Sequence, residues 1–466
     1  MRFQRMISSW HALPAHDIFV SGDSPVTAIV VTYAPDASVL DACLRSLRVQ
    51  TPRPKLVIAD NLSASDPSHG VASSFKADDC AVLAFERNHG FGGAINLALK
   101  LTDTPYVLIS NFDIVYEPGY VEAALARLES SEKDVVGIAG KTLFYPPGGD
   151  KDWPGRGPGD PPHHALEAHA TRHATRHATR GTGAVIDNTG TLVNGLMLAY
   201  NRGVGQIDIG QYDRSDRPMG GCFAAFLARR DAFRPISQGG VGSLDAGYFM
   251  YYEDIDWCYR ANILGYRIVY EPDAVAWHHH SLTTRDKPLF FKYHLIQRNL
   301  YRTIMKNMRF RTVIRLWALH ARLHIRRARV EKDFGEVTGR ILLETLLWAP
   351  IGLVKRMPIQ ARRKVSDTDI VNLSIGEEGH LDDISLRPRA DWRNPLASLK
   401  RLELLYPDDP ACELVPIIEA LAQGGADPSL VEQARRMAGE RCPGLSRLLD
   451  QIIDAPGTKR QGASAN

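Results

Sequence analysis

The chain has 466 residues, 44% apolar and 23% charged. This is an ordinary globular composition, long enough for about three domains, and it excludes a disordered tail or a disulfide-stapled miniprotein. The formal charge of +3 conceals a polarised distribution: Tyr301 to Lys364 carries 16 Lys or Arg against 4 Asp or Glu, so the remainder is net acidic. A segment this basic suits an anionic partner such as phospholipid, nucleic acid or a phosphorylated substrate, and charge alone does not choose among them.

Residues 1–25 read as an N-terminal extension without the uninterrupted apolar stretch of an export signal. From Val26 to Glu86 apolar strands alternate with amphipathic helices. VTAIVVTY (26–33) is a near-continuous β-branched run of the kind buried on both faces of a parallel sheet. Asp36 is placed to cap a helix whose apolar positions Val39, Leu40, Cys43, Leu44 and Leu47 share one stripe. LVIAD (56–60), AVLAF (81–85) and YVLIS (106–110) are further short buried strands, with a crossover helix over Gly92 to Leu101. This order predicts a doubly wound α/β sheet whose ligands gather at the carboxyl ends of the strands. Those ends are Thr32-Tyr33, Asp60-Asn61 and Asn111-Phe112-Asp113.

Residues 145–183 break the pattern with a Gly/Pro-rich run and three HATR tetrads, and read as a disordered insertion. The histidine spacing also admits a metal-binding stripe on a helix. GGCFAAFLARRDAF (220–233) predicts a buried strand and a short helix. The segments 316–330 and 341–357 combine apolar faces with Arg and Lys, as interfacial helices do, although a solvated helix face looks the same. No window reaches the ~18 apolar residues of a membrane span. The nearest, Thr345 to Val354, contains Pro350. Six scattered cysteines without a C-x-x-C pair read as buried thiols in a reducing compartment. The expected localisation is therefore cytoplasmic, at most peripheral on a membrane. The domain expectation is a catalytic unit over 26–300, basic amphipathic helices over 301–365, a linker over 366–392 and a small helical module over 393–466. In that module Asp427-Pro428 opens one helix.

Four constellations carry chemistry. Asp113 follows a buried strand, where a carboxylate projects into the sheet crevice and a hard divalent cation can bridge it to a diphosphate. In FMYYEDIDWCYRANILGYRIVYEP (249–272), Glu253, Asp254 and Asp256 crowd the first turn of a predicted helix, Asp254 to Leu264. Helix capping accounts for such acids, and so does a general base for an incoming hydroxyl. WHHHS (277–281) ends a strand-like run and offers imidazole ligands for Mn²⁺ or a similar ion. In ERNHGFGGAINLALKL (86–101), Gly90, Gly92 and Gly93 permit close backbone approach to a phosphate at a helix N-terminus, or simply tight packing.

Taken in order, VTAIVVTY, ADNLS, NHGFGGAINLAL, SNFD, RGVGQIDIGQYD (202–213), GGCFAAFLARRDAF, FMYYEDIDWCYRANILGYRIVYEPDAVAWHHHS and RNLY (298–301) resemble the bacterial inverting GT-A glycosyltransferases of family 2, of the rhamnosyltransferase and galactofuranosyltransferase type. The resemblance spans about Val26 to Met308. It implies an α/β GT-A fold, a doubly wound mixed sheet with a helical C-terminal extension. It implies that Thr32 and Tyr33 line a base pocket with Asp60 on the pyrimidine, and that Asn88, Gly90 and Asn96 form the donor loop. Asn111-Phe112-Asp113 occupies the D-x-D site, with Asn111 in place of the commoner first aspartate. Asp113 and His278, with His279 as fallback, would hold Mg²⁺ or Mn²⁺. Asp254 is the implied catalytic base, and Glu253, Asp256 and Trp257 are implied substrate contacts.

The implied partners are a dTDP- or UDP-sugar donor and a glycan or lipid-linked acceptor, with peripheral contact to anionic membrane and no nucleic acid. Rhamnose or another deoxyhexose is the expected sugar, in cell envelope polysaccharide synthesis. A sugar-phosphate nucleotidyltransferase would open with a Gly- and Arg-rich phosphate loop, which VTYAPDASVL lacks. A catalytically inactive GT-A scaffold has only Asn111 in its favour.

Overall fold

The computed structural model describes residues 22–61, 67–145, 184–279, 289–330, 334–374, 414–417, 420 and 428–438. The HATR tetrads, Asp427, Cys412, Cys442 and most of the expected linker and terminal module lie outside the described residues.

Strand β1 (Val26–Thr32) is buried at every position, as its β-branched run requires. Asp36 caps α1 (Ala37–Arg48) by accepting from the backbone N–H groups of Ser38 and Val39, and Leu40, Cys43, Leu44 and Leu47 turn inward as expected. There follow β2 (Lys55–Asp60), α2 (Pro67–Ser74), β3 (Cys80–Ala84), α3 (Gly90–Ala98), β4 (Tyr106–Asn111), β5 (Ile114–Tyr116), α4 (Tyr120–Ser130) and β6 (Val135–Phe144). The second half adds β7 (Ile186–Asn188), β8 (Thr191–Val193), β9 (Ala199–Asn201), β10 (Ala225–Arg229), α5 (Glu253–Ile263) and β11 (Arg267–His278).

The main sheet runs β3-β2-β1-β4-β10-β6-β11-β5, with β7 on β6. β10 lies antiparallel between β4 and β6, which makes the sheet mixed. Register delivers the chemistry. β11 pairs antiparallel with β5, setting His278 opposite Ile114 and beside Asp113. β7 pairs with β6 at Thr142 and Leu143, bringing Asp187 to the same edge.

Beyond the sheet come α6 (Leu289–Asn307), α7 (Phe310–Val330), α8 (Phe334–Ala361), α9 (Asp367–Asn372) and α10 (Pro428–Ala438). The domain boundary expected at 300/301 falls inside α6. Leu300, Ile304, Met308, Val313, Leu316, Trp348 and Ile370 belong to the same apolar core as Ile29, Ile109 and Trp257, so the basic helices are not a separate unit. The linker expected from residue 366 begins as helix α9. Ser366 caps it by a reciprocal pair with Asp369, and Ile370 buries itself in the core. The expectation that no segment is long and apolar enough to cross a membrane is also corrected: α8 runs 28 residues through both Pro350 and Pro358, with mean hydropathy 1.4 over its most apolar stretch. Of the described cysteines, Cys43, Cys80 and Cys258 are buried and Cys222 is half-buried.

Candidate active site

A cleft of about 910 Å³ opens at the carboxyl ends of β1 and β4, where a doubly wound sheet places its ligands. It gathers Thr32, Tyr33, Asn88, Gly90, Asn111, Asp113, Glu253, Asp254 and His278, residues drawn from points more than 200 positions apart. Asp113, Asp254 and His278 therefore share one wall-to-wall space.

Asp113 is buried in the turn between β4 and β5, and its Oδ1 has no hydrogen-bond partner among the described residues. His278 Nε2 stands 3.4 Å from that oxygen. On its other side, His278 Nδ1 lies 2.8 Å from Asp187 Oδ2, and Asp187 in turn accepts from Thr142 Oγ1 at 3.0 Å. Burial pushes the His278 imidazole down, but Asp187 and Asp113 outweigh it and raise it to about 10. Burial likewise pushes Asp113 up, and His278 reverses this to hold the carboxyl below its usual range. The pattern of carboxylate, imidazole and supporting carboxylate is the one in which a histidine presents a ring nitrogen to a metal while a second acid orients it. Among the described residues no group of three or more His, Cys, Asp or Glu is arranged to hold an ion alone. Asp113 and His278 thus make a two-residue donor set, suited to an ion whose remaining ligands come from phosphate oxygens and water.

Asp254, half-buried in the first turn of α5, accepts from Ile255 N at 2.7 Å and Phe223 N at 3.4 Å. Burial raises its carboxyl above the usual range despite these bonds. Neighbouring Glu253 is buried with Oε2 lacking a hydrogen-bond partner among the described residues; burial first, then the Asp254 charge, pushes it well upward. The two carboxyls cannot both ionise cheaply in such a space, so protons distribute over the pair.

The aromatic approach to this turn is strained. Phe249, Tyr251 and Tyr252 have φ of 67°, 68° and 72°, a region that side chains with a Cβ rarely adopt. Asn299 on α6 holds them there, its Nδ2 donating to the carbonyls of Tyr248, Met250 and Tyr251 at 3.0, 2.9 and 2.8 Å. Arg298 adds a bond to the Tyr248 carbonyl at 2.8 Å. Across the cleft, Gly90 (φ +70°) meets the same segment: an added Cβ would lie 2.2 Å from the Phe249 carbonyl oxygen, and Phe91 N donates to that oxygen at 2.8 Å. Asn61 braces the loop leading into α3 by accepting from His89 N at 2.7 Å.

Four expected contacts lie elsewhere. The Asp60 carboxylate is buried and engaged by His69 Nδ1 at 2.7 Å and Thr32 Oγ1 at 3.4 Å, behind the cleft wall. Asn96 braces Leu244 through both of its backbone polar groups. Asp256 faces away from Asp254, into a buried cluster where Lys306 Nζ stands 2.9 Å from it and 2.8 Å from Asp245. Trp257 is wholly buried and donates to the Gly242 carbonyl. Conversely, Asp187 carries no sequence signal, while Asn61 stands out only as a strand end within ADNLS and Asn299 only within RNLY.

Residues 27–185 match the family model described as Glycosyl transferase family 2. The match covers about a third of the chain. The chain is 26% identical over 273 residues to the N-acetylglucosaminyl-diphospho-decaprenol L-rhamnosyltransferases of Mycobacterium tuberculosis strains CDC 1551 / Oshkosh and ATCC 25618 / H37Rv, covering 56% of this chain and 78% of theirs. Among solved structures, GalNAc-T7 with UDP, GalNAc and Mn²⁺ is 14% identical at a TM-score of 0.45, covering 70% of this chain and 55% of that one. S. aureus TarS 1-349 is 14% identical at a TM-score of 0.40, covering 77% and 92%. The chain has the expected mixed α/β sheet with C-terminal helices.

Proposed function

We propose that this glycosyltransferase inverts the anomeric centre of a nucleotide-diphosphate deoxyhexose, rhamnose first among them, and transfers it to a hydroxyl of a lipid-linked acceptor. The observation that carries the reading is the convergence of Asp113, His278 and Asp254 on one cleft. The name of the mycobacterial relatives supports a rhamnosyl donor and a polyprenyl diphosphate acceptor.

The residues present fit a divalent ion: an orphaned, buried Asp113 oxygen faces an imidazole already oriented by Asp187. Asp113 and His278 would hold Mg²⁺ or Mn²⁺, which as a Lewis acid would stabilise the charge developing on the departing diphosphate. Thr32, Tyr33, Asn88 and Gly90 bind and orient the donor. Asp254 takes the proton from the acceptor hydroxyl as that oxygen attacks opposite the leaving group. Its raised proton affinity improves it as a base near neutral pH. A single displacement needs no second nucleophile, so one base suffices.

The test is a screen of nucleotide sugars for hydrolysis and transfer with added Mn²⁺ or Mg²⁺, with Asp254→Asn as control. Slow hydrolysis of one donor by the native chain, lost with EDTA and greatly reduced in the variant, is expected. Full activity in Asp254→Asn would remove that residue from its role.

A further inference from the structure

Helix α8 presents two opposed faces. Ile341, Thr345, Trp348, Gly352 and Ile359 are buried, and the helix is fastened to α6 by polar bonds: Arg356 donates to the Met305 carbonyl at 2.9 Å and Gln360 to that of Lys306 at 3.1 Å. The opposite face is apolar and exposed. Leu343 is 58% exposed, Leu347 69%, Val354 67% and Met357 68%, a stripe of roughly 20 Å at 1.5 Å per residue. No charged residue occurs from Thr345 to Val354. Folded proteins seldom leave so continuous an apolar strip in water without a use for it.

Helix α7, packed against α8, exposes arginines instead. Arg322, Arg326 and Arg329 stand outward with Ile325 among them. A second copy meeting the molecule through this surface would bring like charges together. An anionic bilayer surface satisfies both halves at once, arginines on headgroups and the leucine stripe at the acyl boundary. Spanning is disfavoured although α8 is long enough, because the bonds to α6 keep one side of the helix on the protein.

We infer that α7 and α8 form an interfacial docking surface for an anionic lipid bilayer, with α8 lying in the membrane plane. The inference deepens the function proposed above and rests on it for its purpose. His320, His324 and Arg327 of α7 line the catalytic cleft, and Leu323 both lines it and is 42% exposed. One helix therefore serves as cleft wall and membrane-facing element, and an acceptor anchored by a lipid tail reaches the cleft without leaving the bilayer.

Co-sedimentation of the full chain with vesicles of phosphatidylcholine, alone or mixed with phosphatidylglycerol, tests this. Binding is expected to favour the anionic vesicles. Arg322→Gln/Arg326→Gln/Arg329→Gln should weaken it about 100-fold, at about five-fold per charge. Leu347→Glu/Val354→Glu should abolish binding while leaving Tm unchanged, since both side chains are exposed. Equal binding to both vesicles, or retention by the glutamate variant, would overturn the docking surface. So would a dimer that this variant dissociates, because a second copy would then be the occupant. Donor hydrolysis with Mn²⁺ is read on the same samples: hydrolysis without vesicle binding sinks the docking surface alone, and vesicle binding without hydrolysis sinks the catalytic reading alone.

Discussion

His278 and Asp187 are 91 residues apart in sequence and 2.8 Å apart in the fold, joined through the Nδ1 of the imidazole. The pairing of β7 with β6 and of β11 with β6 sets both at one sheet edge. It leaves the Nε2 of His278 directed to Asp113.

Asp187 should therefore govern metal affinity without touching the metal. Asp187→Ala is expected to weaken Mn²⁺ binding by roughly 10–100-fold, read by titration against the free ion, while thermal stability changes far less than affinity. Unchanged Mn²⁺ affinity would make Asp187 a structural partner only.

Asp254→Asn should lower kcat by roughly 10²–10⁴-fold, the usual worth of a positioned base, with little change in donor KM. The pH profile follows from the same carboxyl. Burial raises its pKa, the protonated form is inactive, and kcat/KM of the native chain should fall as pH drops through a value above the ordinary aspartate range. A profile flat down to pH about 4, the value for an unperturbed aspartate, would contradict this.

Gly90→Ala should be costly in two ways. The φ of +70° disfavours any Cβ, and the new methyl would collide with the Phe249 carbonyl. A loss of about 2 kcal/mol or more is expected, seen as a drop in Tm together with weaker donor binding. Gly70, where a Cβ meets nothing within 4 Å, is the control and should tolerate alanine.

Lys306→Met leaves Asp245 and Asp256 buried without their shared cation. A loss of about 3–5 kcal/mol is expected at neutral pH. In the native chain both carboxyls are held below their usual range; burial opposes this, and Lys306 leads the charges that overcome it. Their contribution is present above the unfolded aspartate pKa and disappears only as pH falls through the depressed values. In the variant those carboxyls protonate more readily, so its deficit should shrink in acid. Urea unfolding at several pH values reads this, and a deficit independent of pH would show that lost packing, not charge, is responsible.

Much of this was legible in the sequence because the signals were local. The apolar runs within β1 and β2 read as buried parallel strands and every position of both is buried, and Asp113 and His278 each sit at the end of a readable strand. Asp256 and Trp257 were misjudged against a signal already present. On a helix, positions i and i+2 point some 200° apart, so a cleft-facing Asp254 turns Asp256 inward toward Lys306. Asp187 had no comparable signal: its strand is three residues long, and its partner is chosen by sheet register. Residues 341–357 already read as a helix through Pro350, but α8 extends past both ends of that segment, from Phe334 and through Pro358 to Ala361.

The continuity of the apolar core across residue 300 bears on modularity. A chain ended there would lose Ile304, Met308, Leu316 and Trp348 from beneath Trp257 and Tyr259, along with the lysine that neutralises Asp256. Residues 26–300 therefore do not form an exchangeable cassette, because α6, α7 and α8 complete their core.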